Sequence, residues 1–219
     1  MTTLVWDKAD ERFFHLGVDR GVFYPVLPLT GAYGAGVVWN GLVNVTEKGA
    51  GGEDNKQYAD NIAYANIRSE AEFEASIEAF TYPDAMAECD GSAQPEDGVY
   101  VGQQLRKSFG MSYRTKIGNN NDDLDFAYEI HMIWGATPEP TEKSRDTIND
   151  SPEAATFSWD VKTEKVQIAG LKPTAHLWVD SRKVAPAKLA MLEDLLYGKA
   201  EVPAALPTPD AVLAIFTTP

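Results

Sequence analysis

The chain has a single cysteine, Cys89, and three histidines, His15, His131 and His176, among 219 residues. One thiol cannot form a disulfide within the chain or supply a multi-cysteine metal site, and cysteine poverty fits a protein made in a reducing cytoplasm. Basic residues are scarce as well. Nineteen Lys and Arg stand against 33 Asp and Glu, giving a formal charge of −14. Tight nucleic-acid binding needs clustered cations that displace phosphate counterions. The densest basic stretch, Arg106–Lys107 followed by Arg114 and Lys116, is too thin for that. No apolar run approaches the ~18 residues of a membrane span. The N-terminal MTTLVWDKADERFF lacks the basic start and apolar run of a secretory leader. Neither glycine nor proline is abundant enough for a collagen-like or broadly disordered chain. What is present, 44% hydrophobic residues over this length, suffices for one globular domain with a core of its own, or one domain with an appendage.

Most of the chain alternates in hydropathy and reads as strands. FGMSYRTKI (109–117) and LDFAYEIHMIW (124–134) flank the turn signal GNNNDD and predict a long antiparallel hairpin. In its second strand Leu124, Phe126, Tyr128, Ile130, Met132 and Trp134 share one face. VVWNGLVNV (37–45), NIAYANI (61–67), FSWDV (157–161), VQI (166–168) and TAHLWVD (174–180) continue the pattern. EFEASIEAF (72–80) sets Glu72, Glu74, Ser76 and Glu78 against Phe73, Ala75, Ile77 and Ala79. Phe73, Ile77 and Phe80 also fit helical spacing, but the alternation runs unbroken from Ala71 to Thr81, which favours a strand with one apolar and one acidic face. A helix is predicted over about 186–197, with Pro186 in its first turn, a stripe of Leu189, Leu192, Leu195 and Leu196, and Gly198 as its stop. Three segments read as long loops: TEKGAGGEDNKQ (46–57), PDAMAECDGSAQPEDG (83–98) and GATPEPTEKSRDTINDSPEA (135–154). The tail EVPAALPTPDAVLAIF (201–216) is proline-spaced, ends apolar, and is expected to dock on a sheet or a neighbouring subunit.

Chemistry-bearing motifs are few. The histidines stand far apart, and a structural or exposed role is the expectation for each. No nucleophile elbow, phosphate loop or His-Glu-x-x-His pattern occurs. GAYGAG (31–36) imitates a dinucleotide loop without the helix that should follow. Glu72, Glu74 and Glu78, DGSAQPEDG (90–98) and NNNDDLD (119–125) offer oxygen ligands, yet none matches a calcium loop, and neighbouring same-face Glu residues lie ~7 Å apart on a strand. Solvated surface is the reading for all three, so no metal and no cofactor is expected. Cys89, flanked by Glu88 and Asp90, is disfavoured as a thiolate. Trp39, Trp134, Trp159 and Trp178 fall in alternating strands and are expected in the core or at a subunit contact.

Together GVDRGVFYP (17–25), GVVWNGLVNVTE (36–47), YADNIAYANI (58–67), EAFTYPDAMAECDGS (78–92), GMSYRTKIGN (110–119), NDSPEAATFSWDV (149–161) and KVAPAKLAMLEDLLYG (183–198) carry a likeness in order and spacing. The chain resembles the major tail protein, or tail tube protein, of long-tailed bacteriophages with non-contractile tails. The resemblance implies a mainly β, tail-tube-like sandwich or barrel with a flanking helix, comprising residues 1–198, and a C-terminal extension, 199–219, that packs on the domain or on a neighbour. It implies a non-enzymatic virion protein, assembled in the host bacterial cytoplasm, whose rings are six-fold and stack into a tube. The implied partners are further copies of the chain, a tape-measure protein in the lumen, and tail terminator and tail-tip proteins. DNA passes through without specific binding, and no membrane is involved.

Within that expectation the acidic row acquires a role. If Glu72, Glu74 and Glu78 face the lumen, they repel a phosphate backbone along its whole path. Each charge pair at ~10 Å in water contributes only about 0.4 kcal/mol, less with salt, but a ring multiplies it. The loops 46–57, 83–98 and 135–154 are the expected subunit contacts. Two rivals remain: a receptor- or carbohydrate-binding β-sandwich of a phage tail, and a metal-dependent hydrolase on a β scaffold.

Overall fold

A computed structural model of the chain describes residues 3–6, 8, 11–28, 30–120, 123–145, 147–148 and 154–217. The chain is mainly β. Its strands are β1 (Phe13–Pro25), β2 (Val37–Trp39), β3 (Leu42–Gly51), β4 (Asp54–Ala59), β5 (Ile62–Arg68), β6 (Ala71–Ala79), β7 (Ala93–Glu96), β8 (Val99–Val101), β9 (Phe109–Asn119), β10 (Asp123–Pro138), β11 (Phe157–Lys162) and β12 (His176–Asp180). The helices are α1 (Met86–Cys89), α2 (Pro186–Tyr197) and α3 (Pro209–Thr217). All pairings are antiparallel.

The main sheet runs β2-β1-β9-β10-β11-β6-β3, with β12 added alongside β10. It folds over on itself instead of closing into a barrel. Most of β10 pairs with β9 and β12, but its last residues, Thr137 and Pro138, pair with Lys162 and Val161 of β11. The change of direction falls at an irregularity between Ile133 and Ala136, where Gly135 adopts φ +60°. A Cβ there would meet the Glu164 carbonyl oxygen at 2.8 Å, so only glycine lets the strand turn this corner.

The bend produces three layers. Between the β2-β1-β9-β10 half and the β11-β6-β3 half lies a core of Phe23, Trp39, Ala75, Ile77, Phe109, Met111, Tyr113, Ile133, Trp159 and Val161. Trp39 meets Trp159 edge-on at 5.6 Å between ring centres, close to the favoured aromatic geometry. The opposite face of the first half carries Val22, Tyr24, Ile130, Met132, Trp134 and Val179, which pack against Leu189, Leu192 and Leu196 of α2 and Val212 of α3. β9 and β10 are therefore covered on both faces. This explains why Ser112 is buried despite its polar position; the Tyr24 hydroxyl sits 3.1 Å from it and donates to the Leu196 carbonyl at 2.8 Å.

The predicted hairpin, the β6 strand and the helix over 186–197 are present, with Pro186 opening α2 and Gly198 closing it at φ +76°. The side chain of Leu124 lies outside the described residues, as does much of 146–153. Four expectations need correction. VVWNGLVNV is two strands, broken at Asn40 and Gly41. VQI supplies only an isolated bridge, Val166 to Thr174. Segment 46–57 is no loop: β3 continues to Gly51 and β4 begins at Asp54. Segment 83–98 is not one long loop: it holds α1 and β7. The C-terminal tail, for which no element was predicted, contains a helix, α3, which Thr208 caps by accepting from the Ala211 amide at 3.3 Å.

Candidate functional site

β6 places its side chains as alternation requires. Ala75, Ile77 and Ala79 are buried, while Glu72, Glu74 and Glu78 point to the opposite face. Register then fixes their neighbours. Glu78 lies between Asn44 of β3 and Ser158 of β11, Ser76 between Thr46 and Asp160, and Glu74 between Lys48 and Lys162; Ala50 lies opposite Glu72. The row is thus part of a ladder in which four carboxylates, Glu72, Glu74, Glu78 and Asp160, share a face with two lysines. Lys48 binds Asp160 at 2.9 Å, and Asp160 also accepts from the Ser76 hydroxyl; Ser76 first and Lys48 second hold its carboxyl below the usual range. Lys162 pairs with Glu139 at 2.8 Å. The face is acidic but laced with cations, which sequence alternation along one strand cannot reveal.

Beyond this face β3 runs on into the β4–β5 hairpin, which forms its own two-stranded sheet. The ribbon is exposed along nearly its full length, and Tyr58, Ile62, Tyr64 and Ile67 are 60–74% accessible. Asp54 and Arg68 bridge its base at 2.7 Å. A second small ribbon, β7–β8, exposes Val99, Tyr100 and Val101.

On the core side the structure brings together residues that the sequence kept apart. Glu47 of β3, His131 of β10 and His176 of β12 converge where the two halves of the sheet meet. His131 Nδ1 lies 3.0 Å from Glu47 Oε1 and 3.3 Å from His176 Nε2, and His176 Nε2 lies 3.8 Å from Glu47 Oε1. The Tyr113 hydroxyl donates to Glu47 Oε1 at 2.7 Å. Thr115 Oγ1 lies 3.0 Å from His131 Nε2. Phe73 stacks on His176 and Tyr113 on His131, so both imidazoles are clamped between rings. The hydrogen bond from His131, with help from Tyr113 and the His176 ring, holds the Glu47 carboxyl down at about 2 despite partial burial. Burial pushes His176 down to about 4, so that ring is neutral at neutral pH. His15 is exposed, 3.5 Å from Glu129.

Other sequence candidates stand apart from both places. Cys89 is buried, and burial followed by the Glu88 charge pushes its thiol up to about 12, which makes it inert. Asp90 in DGSAQPEDG is engaged by Arg106 and Lys143. GAYGAG leads into β2 and no helix. Trp39, Trp134 and Trp159 are core residues, whereas Trp178 is 58% exposed. Among the described residues no helix is long and apolar enough to cross a membrane.

No protein-family model matches the chain, and no curated protein matches it. Among solved structures, it is similar to a chain in the six-fold symmetrised cryo-EM structure of the anti-feeding prophage (AFP) baseplate. The two are 9% identical, with 82% of this chain and 97% of that chain covered, at a TM-score of 0.33.

Proposed function

We propose that the chain is a structural subunit of a bacteriophage tail, self-assembling into stacked, six-fold rings that form the tail tube. The observation that carries this reading is the β4–β5 ribbon. A two-stranded hairpin is marginal in water by itself, and this one presents Tyr58, Ile62, Tyr64 and Ile67 to solvent on a highly acidic protein. Exposed apolar side chains grouped on a projecting arm mark a contact surface. A neighbouring subunit is the partner that a tube supplies for it. The first strand of the arm takes in residues 54–57, the end of segment 46–57, one of the stretches expected to make subunit contacts.

Two further features support the reading. The bent sheet leaves β3, β2 and β12 as edge strands. Unpaired edges template strand addition, and rotational closure of such contacts makes rings. The Glu72, Glu74 and Glu78 face, opposite the core, would line the lumen, where its excess of carboxylates keeps DNA from adhering. The tape-measure protein would occupy this lumen before DNA does, and terminator and tip proteins would close the ends. The chain would act without catalysis and reside in the virion.

The ribbon gives the direct test. Ile62→Asp combined with Tyr64→Asp should leave the thermal melt of the isolated subunit within about 0.5 kcal/mol of wild type, because both side chains are exposed. The same pair should abolish sedimenting assemblies. Unchanged assembly in this variant would remove the arm from the tube contacts.

A further inference from the structure

We propose that Glu47, His131 and His176 form a binding site for one divalent transition-metal ion of the zinc class, with solvent at the remaining position. The three donor atoms make a triangle with edges of 3.0, 3.3 and 3.8 Å. A tetrahedral ion with bonds of about 2.0–2.1 Å separates its ligand atoms by about 3.3–3.4 Å, so the triangle has the size of one tetrahedral face. Two imidazoles and one carboxylate favour zinc, or its first-row neighbours, over calcium or magnesium, which prefer all-oxygen shells. Glu47 keeps 38% of its side chain accessible while both imidazoles are more than nine-tenths covered. The open side therefore faces solvent, as a fourth water ligand requires.

The surroundings fit as well. Binding an ion would release the Nδ1 proton that His131 gives to Glu47, and Thr115 Oγ1 at 3.0 Å can then accept from Nε2–H, the tautomer that leaves the Nδ1 lone pair for the ion. Glu129 Oε2 stands 3.8 Å from the same Nε2. Tyr113 donates to the Glu47 carboxylate and fixes its rotamer. Phe73 and Tyr113 stack on the two rings and limit their rotation. The ion would join β3 in one layer to β10 and β12 in the other, a cross-link across the open end of the sandwich. An ion bound only by the folded chain stabilises it by mass action. The site does not depend on tube formation.

The test uses the untagged full-length chain, stripped by chelator and then titrated with Zn(II). One zinc per chain should survive desalting, and Tm should rise by several degrees. Co(II) should give the intense visible bands of a four-coordinate site. Glu47→Gln and His176→Asn should each weaken zinc retention at least tenfold. Thr115→Val, which touches no ion, should weaken it about 10-fold through loss of ring positioning. His15→Asn should leave it unchanged. A wild-type chain that retains no zinc and melts at the same temperature with and without it overturns the proposal. Retention that is equal in wild type and the Glu47→Gln/His176→Asn double variant does so too, as adventitious surface binding. Should the substituted chains fail to fold, wild-type stoichiometry and the Co(II) spectrum decide alone.

Discussion

Single residues on β6 carry opposite duties three positions apart. Ile77 is fully buried between the halves of the sheet, whereas Glu74 faces the charged ladder between Lys48 and Lys162. Truncating a buried isoleucine removes transfer energy and leaves a cavity, so Ile77→Ala should cost about 2–5 kcal/mol in denaturant melts. Glu74→Gln should change stability by no more than about 0.5 kcal/mol. Equal effects from the two would mean that the alternation along EFEASIEAF does not set its faces. At this scale the sequence was readable wherever the strand period separated apolar from polar side chains. Glu47, His131 and His176 were not readable as a group. They lie on three strands, His131 and His176 are 45 positions apart, and their convergence depends on the bend in β10 and the pairing of β3 with β6. No local spacing encodes such a meeting.

Among elements, legibility followed burial. The β9–β10 hairpin and α2 each have a face that must be apolar, so their periods stand out. β5 shows in the alternation of NIAYANI, but segment 46–57, the end of β3 and the start of β4, is exposed along nearly all its length, and its glycines and charges imitate a loop. In α3 the prolines at 203, 207 and 209 hid a helix that Pro209 in fact begins. β1 and β9 are tied by more than their ladder. Arg114 grips Asp19 through two bonds of 2.7 and 2.6 Å next to a register shift, and this holds the Asp19 carboxyl below its ordinary value of 3.8. A carboxyl whose folded pKa is depressed binds fewer protons in the folded state. Its contribution is present above the ordinary value and is lost as pH falls below it. The stability gap between wild type and Asp19→Asn should therefore be constant from neutral pH to about pH 5 and shrink on further acidification. A gap that grows as pH falls would contradict the clamp.

For the whole molecule, charge and shape act together. A chain of net charge −14 repels its own copies, so the proposed ring contacts would have to outweigh that repulsion through apolar and edge-strand contacts. Higher ionic strength should accordingly favour assembly, since screening shortens the reach of surface charges to about 8 Å near physiological salt. Converting Glu72, Glu74 and Glu78 to Lys reverses the sign of the face assigned to the lumen. Tubes built from that variant should bind DNA added to them and should retain a genome at low salt. Delivery indistinguishable from wild type would move those residues off the channel wall.

The central claim is that this subunit closes into rings and that the rings stack. Negative-stain microscopy of the purified chain over a rising concentration series tests it most directly. The account predicts six-fold annuli with a stain-filled centre that lengthen into hollow tubes. Uniform single particles of subunit size at every concentration and salt would contradict it.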